Sequence, residues 1–280
     1  MASALATRIA TGIVLIAAIL AALLLLPTLV FGGVVLLIVL VAASEWAKLI
    51  GLADGARTGF VIAVLAAGCA LLRLGALRGF DPVVALACGA ATLFWLVVGV
   101  PSVLRNWQPA SVLVRAVSAF VMLEGAFVAI VALQDRSPWL ALAAMAIVWL
   151  ADTAAYFAGR RFGRRKLAPQ ISPGKTWEGV HGALLAVAVY ALLLLPLARR
   201  AGYEGGFDAR AIVAWVAFAI ALAALSVVGD LHESLLKRRA GVKDSGAILP
   251  GHGGVLDRTD ALLAAMPPVA LAATVFLGAA

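Results

Sequence analysis

Charge is scarce in this 280-residue chain: 13% of its residues are Asp, Glu, Lys or Arg, against about a quarter in an ordinary soluble domain. Hydrophobic residues make up 64%, which excludes a soluble globular protein and leaves an integral membrane protein. Cysteine is nearly absent. Cys69 and Cys88 lie in separate apolar stretches without CxxC spacing, so neither a disulfide nor a thiolate metal site is supported, and both read as small buried apolar residues. His232 and His252 have no cysteine partners, which excludes the usual zinc ligand set. A complete phosphate-binding P-loop is also missing. Gly174-Lys175-Thr176 matches its end, but Pro169 stands where its first glycine belongs. The net charge of +8 would suggest nucleic acid in a soluble protein. Here the bases sit in loops between apolar runs, with no interleaved aromatics, so nucleic acid is excluded and anionic lipid or phosphate is favoured.

What the chain has in quantity is long apolar runs. They predict an all-α, polytopic membrane protein of about nine transmembrane helices, at 9–26, 29–50, 60–77, 83–100, 112–133, 139–158, 182–198, 211–228 and 261–279. The run after Arg8 is too long for a cleaved signal peptide and reads as the first of these helices. With the helices numbered in order, 16 Lys and Arg fall on the side of the N-terminus and 6 on the other. The N-terminus and the charged loops are therefore expected on the cytoplasmic side. Residues 1–110 carry little chemistry and read as structural. Residues 111–280 carry the polar loops, within what is read as one integral unit. Glu45 and Lys48 are expected at a membrane interface. Glu124 falls inside an apolar run, where a hydrogen bond to another helix is favoured slightly over a role in a site.

The polar residues concentrate between Ser226 and Asp260, which hold five acids, five bases and two histidines. Ser226, Asp230, Glu233, Ser234 and Lys237 recur at spacings of three and four, so they share one helix face. Gly241 is expected to end that helix, and Gly246, Pro250, Gly251, Gly253 and Gly254 to form a turning loop. Asp257 and Asp260 then open the last apolar run, where carboxylates suit the positive end of a helix. Two walls of carboxylate with lysines nearby suit a divalent metal holding a polyphosphate, and a solvated loop of paired charges is the plainer alternative.

A second constellation precedes it. Asp152 and Tyr156 lie one turn apart on one face of the sixth run, and an acid there is a functional candidate, with an ion pair to a following arginine as the alternative. The next loop runs through Arg160, Arg161, Arg164, Arg165 and Lys166 to Ser172-Pro173-Gly174-Lys175-Thr176-Trp177-Glu178-Gly179. Ser172 is expected to cap a helix with Pro173 at its first position. Lys175, Thr176 and nearby amides could contact phosphate at that helix N-terminus.

The run Ser234-x-Leu236-Lys237-Arg238-x4-Lys243-Asp244-x-Gly246-x2-Leu249-Pro250-x-His252-Gly253-Gly254-Val255-x-Asp257-Arg258-Thr259-Asp260 resembles the signature of the phosphatidate cytidylyltransferases. The earlier Asp152 and Ser172-Pro173-x-Lys175-Thr176-x-Glu178-Gly179 are similar to a second family pattern, so the resemblance covers roughly 145–262. Ala261 departs from it, where many members carry a small hydroxyl residue.

The resemblance implies transfer of a cytidylyl group from CTP to phosphatidic acid, giving CDP-diacylglycerol and pyrophosphate in phospholipid biosynthesis. It implies a homodimer in the bilayer, expected in the bacterial inner membrane. Magnesium is the implied cofactor, with a second, monovalent cation left open. Asp230 and Asp257 are the expected metal ligands, with Asp244 and Asp260 as weaker candidates. Lys237, Lys243 and Arg258 are expected to hold phosphate, and Gly253 and Gly254 to let backbone approach it. Asp152, Lys175, Thr176, Glu178, Glu233, Ser234 and His252 complete the expected substrate pocket. A CTP-dependent lipid-alcohol kinase is the nearest alternative, and a transporter a more distant one. The Asp-Gly-x2-Ala-Arg motif of enzymes that consume CDP-diacylglycerol is absent.

Overall fold

A computed structural model describes residues 2–73, 75, 77, 82–200, 208–248 and 253–277. Its helices are α1 (Ala2–Leu25), α2 (Thr28–Leu49), α3 (Asp54–Arg73), α4 (Pro82–Phe94), α5 (Val100–Leu104), α6 (Val112–Arg136), α7 (Pro138–Phe162), α8 (Trp177–Arg200), α9 (Ala209–Arg239) and α10 (Leu256–Leu277). A π-helical turn, Trp95–Gly99, joins α4 to α5. Each predicted apolar run overlaps a helix, with 74, 76, 278 and 279 of those runs outside the described residues, and the fold is all-α and polytopic. Among the described residues seven helical stretches are long and apolar enough to cross a membrane: α2, α3, α4 continued through α5, α6, α7, α8 and α9.

Local sequence explains several boundaries. Ser111, Ser137 and Asp208 each accept the backbone N–H three residues on, capping α6, α7 and α9. Gly241 adopts a φ of +71° directly after the end of α9, as expected of a helix stop. The structure corrects one expectation. Ser172 caps no helix; Ser172–Thr176 is a strand (β2) paired antiparallel with Lys166–Ala168 (β1). The hairpin closes the arginine-rich loop, and Thr176 at its end accepts from Gly179 N at 3.2 Å to start α8.

The core lies around α6, whose side chains from Met122 to Leu133, apart from the partly buried Ile130, are buried against α2, α4 and α10. Exposed Leu185, Leu193 and Val213 on α8 and α9 face outward, as lipid-contacting surface requires. α10 contains Pro267 and Pro268, and Pro267 removes the amide that would bond the Leu263 carbonyl. The π-helical turn supplies the missing donor: Trp95 Nε1 reaches Leu263 O at 2.9 Å. α9 and α10 approach closely at Gly229, where a Cβ would lie 2.7 Å from Asp260 O and 2.8 Å from Ala264 Cβ. That contact brings the acidic ends of both helices together.

Candidate active site at the α9–α10 seam

The predicted polar face on α9 is real and continuous with the membrane-crossing part of the same helix. Asp230, Glu233, Ser234 and Lys237 lie on its final turns, and Asp257 opens α10 beside them. Lys237 Nζ bridges the two helices, 2.6 Å from Glu233 Oε2 and 2.5 Å from Asp257 Oδ1. Asp257 Oδ2 accepts from Gly254 N at 2.8 Å and Ser245 N at 3.0 Å, and lies 3.1 Å from Ser245 Oγ. Asp257 precedes the apolar run that begins at Ala261. Burial would raise its carboxyl, but the Lys237 ammonium and these N–H donors prevail and draw it down to about 2, so it is ionised at neutral pH.

A second ammonium approaches from the hairpin. Lys175 Nζ on β2 is 2.7 Å from Asp230 Oδ2, while Ser234 Oγ donates to Asp230 Oδ1 at 3.3 Å. Asp152 on α7 and Asp260 on α10 both lie within electrostatic reach of Asp230 and Lys175. No arginine of the following loop pairs with Asp152 among the described residues; Arg160 Nη1 instead donates to the Tyr156 hydroxyl at 2.9 Å. The structure therefore gathers Asp152, Lys175, Asp230, Glu233, Lys237, Asp257 and Asp260 from four elements, α7, β2, α9 and α10, at one end of the bundle. Two ammonium groups sit among five carboxylates, an arrangement that can exchange internal ion pairs for phosphate and cation contacts.

The cytidylyltransferase family profile matches residues 6–276 of the chain. The chain belongs to the cytidylyltransferase family. It is similar to the phosphatidate cytidylyltransferase of Haemophilus influenzae, 48% identical over 129 residues, covering 46% of this chain and 43% of that one. Its similarity to the Pseudomonas aeruginosa protein of that name is 45% over 128 residues, covering 46% and 45%. With the Thermotoga maritima protein it is 42% over 127 residues, covering 45% and 46%. The chain thus spans less than half the length of the curated relatives it matches.

Other expected site residues of this chain have different surroundings. Thr176 is buried and caps α8. Glu178 accepts from Arg164 N at 3.0 Å and Arg165 N at 3.2 Å, tying the arginine-rich loop to the start of α8. Lys243, Asp244 and Arg258 are exposed at the rim. Gly253 has a φ of +81° and sits against Asp257 Oδ2, 2.6 Å from where its Cβ would stand. His252 lies outside the described residues, as do Leu249, Pro250 and Gly251. His232 is enclosed by the rings of Trp46, Phe94 and Trp95, on a face of α9 directed away from the carboxylates.

Two membrane acids differ from expectation. Glu124 has both carboxylate oxygens buried without a hydrogen-bond partner among the described residues, so the expected bond to another helix is not made. Glu45 does not snorkel to an interface. It is 2% exposed, and its carboxylate accepts from Ser245 Oγ, Val255 N and Leu256 N in the signature loop. Local sequence carried no sign of this beyond an acid in an apolar helix, the same signal that singled out Asp152.

Proposed function

We propose that the chain is a phosphatidate cytidylyltransferase, joining CTP and phosphatidic acid to give CDP-diacylglycerol and pyrophosphate. The observation that carries this reading is the pair of ammonium–carboxylate clusters, Lys175 with Asp230 and Lys237 with Glu233 and Asp257, in which Lys175, Lys237 and Asp257 belong to the stretches that resemble the family's patterns. The names of the similar proteins support it.

The lipid phosphate is the nucleophile, so no protein Ser, Cys or His is required. One of its oxygens bonds to the α-phosphorus of CTP as the bond from that phosphorus to the bridging oxygen breaks, and pyrophosphate departs. The chemical demand is alignment and neutralised charge. Lys175 and Lys237 supply charge at fixed positions, and Lys243 and Arg258 extend it to the rim. Asp152 and Glu233 hold these ammonium groups in place and repel misplaced phosphate. CTP and the headgroup of the anionic lipid meet at this end of the bundle.

The acids also suit magnesium, whose preferred ligands are hard oxygens. No three metal-ligating side chains converge among the described residues. Magnesium does not need three, because it takes one or two carboxylates and completes its shell with water and phosphate oxygens. The ammonium groups already seated on Asp230 and Asp257 mark both carboxylates as cation acceptors. Asp230 and Asp257 would hold the ion, with Asp260 and Asp244 as further candidate ligands. When bound, the ion would neutralise triphosphate and stabilise departing pyrophosphate. We place the N-terminus and the site on the cytoplasmic side of a bacterial inner membrane, in a homodimer, on the basis of the Lys and Arg distribution and the family likeness.

The test is to give purified protein CTP, phosphatidic acid and magnesium. Label from the α-phosphate should enter the lipid as pyrophosphate appears. Entry of the γ-phosphate instead would mark a kinase and overturn the proposal.

A further inference from the structure

Glu45 is an acid in the apolar helix α2, and its partner Ser245 is 200 residues away. Ser245 Oγ lies 2.9 Å from Glu45 Oε2 and Leu256 N 2.8 Å from the same oxygen, while Val255 N is 3.1 Å from Oε1. The two amides are donors that the N-terminus of α10 leaves open. A helix start normally finds its acceptor in its own cap residue, but Gly254 and Val255 carry none. α2 therefore supplies the cap from elsewhere in the chain, as a carboxylate at the positive end of the helix.

Two glycines of the signature make room for it. A Cβ on Gly246 would lie 2.2 Å from Glu45 Oε1, and one on Gly254 would lie 2.6 Å from both carboxylate oxygens. The loop backbone thus closes on Glu45 at the positions where the motif lacks side chains. Ser245 then joins Glu45 to the site, because its hydroxyl is also 3.1 Å from Asp257 Oδ2 and its N–H is 3.0 Å from that oxygen. Asp257 in turn holds Lys237. A continuous set of contacts runs from the C-terminal turns of α2 to the ammonium group between α9 and α10.

We propose that Glu45 is a positioning residue for cytidylyl transfer: through Ser245 and the first amides of α10 it sets where Asp257 and the signature loop stand. This rests on the functional reading above. Glu45 touches no reacting group. Its role is to hold the loop against the freedom its glycines would otherwise allow.

The test uses the full chain in phospholipid nanodiscs with two readouts: amide hydrogen exchange over 240–258, and steady-state turnover of CTP with phosphatidic acid. Glu45→Gln keeps the size but loses the charge and offers a donor to two N–H groups. Exchange in that segment should rise about tenfold while the buried part of α6 is unchanged. kcat should fall about 10- to 100-fold, with a smaller change in the KM for CTP. Glu45→Asp keeps the charge at shorter reach, so it should retain more activity than Glu45→Gln. A role in filling space gives the opposite order, since Gln is the better match in volume.

Ser245→Ala should give a smaller loss, and its effect combined with Glu45→Gln should fall short of the product of the two. It also tests the proposal should Glu45→Gln not fold. Unchanged exchange and kcat in Glu45→Gln, Gln outperforming Asp, or fully multiplicative losses would each overturn the proposal while turnover by the parent protein stands. A parent protein that converts no CTP overturns the functional reading itself, and with it the role in that reaction; the exchange measurement then still decides whether Glu45 holds the loop.

Discussion

The site contains two ammonium–carboxylate centres that differ in enclosure. Lys175 and Asp230 pair at 2.7 Å with side chains 24% and 33% exposed. Lys237 sits 2.6 Å from Glu233 and 2.5 Å from Asp257, and these three are 12%, 1% and 7% exposed. The open pair joins a hairpin to a helix, and water can replace either partner at little cost. The closed triad joins two helices across a dry seam, where an unpartnered charge is expensive. On the proposed function the same chemistry serves two ends: the open pair would give way to substrate, while the closed one would fix the walls between which substrate fits.

The largest effect should come from the member of the closed triad that also faces the signature loop. Asp257→Asn keeps the shape of the side chain but loses its charge. Turnover should fall on the order of a thousandfold or more while the protein stays folded in detergent, as judged by size-exclusion profile and labelled-lipid assay. Retained turnover would remove Asp257 from the site. Lys237→Met leaves Glu233 and Asp257 buried together without their cation, which should destabilise the fold by about 3–5 kcal/mol, read from thermal unfolding. Lys175→Ala should instead cost about 1 kcal/mol or less in stability. It should raise the KM for CTP or phosphatidic acid about tenfold, the loss of one charge-assisted contact. Equal unfolding temperatures for the two lysine variants would erase the distinction between open and closed centres. The smallest effect is expected at the rim: Lys243→Ala should weaken apparent CTP affinity a few-fold, and added salt should shrink the difference. An unchanged affinity would remove Lys243 from phosphate binding.

Much of this site could be read locally. The spacings from Ser226 to Lys237 placed acids and a lysine on one helical face, and Gly241 marked the end of that helix, as observed. Asp152, Lys175, Asp230 and Asp257 were candidates because charge is so rare elsewhere in the chain. The hairpin was less legible. Ser172-Pro173 has the form of a helix start, yet pairing with Lys166–Ala168 makes it a strand, and the cap passes to Thr176. Glu178 drew attention beside Lys175, but its position relative to the Arg164 and Arg165 amides depends on how that hairpin turns back. Glu45 was the hardest to place, since nothing near it in sequence distinguishes a snorkelling acid from one buried under a loop of the far half of the chain.

The order of residues alone settles how many apolar runs the chain has, which stretches are too polar for lipid, and which helix face carries the acids. Hydropathy and periodicity are sums over neighbouring residues, so a window of the chain contains all that they need. Which ammonium pairs with which carboxylate, and that an acid of α2 caps α10, follow from helices crossing at particular depths and angles. Those contacts join residues far apart in the chain, and packing alone brings them within hydrogen-bond distance.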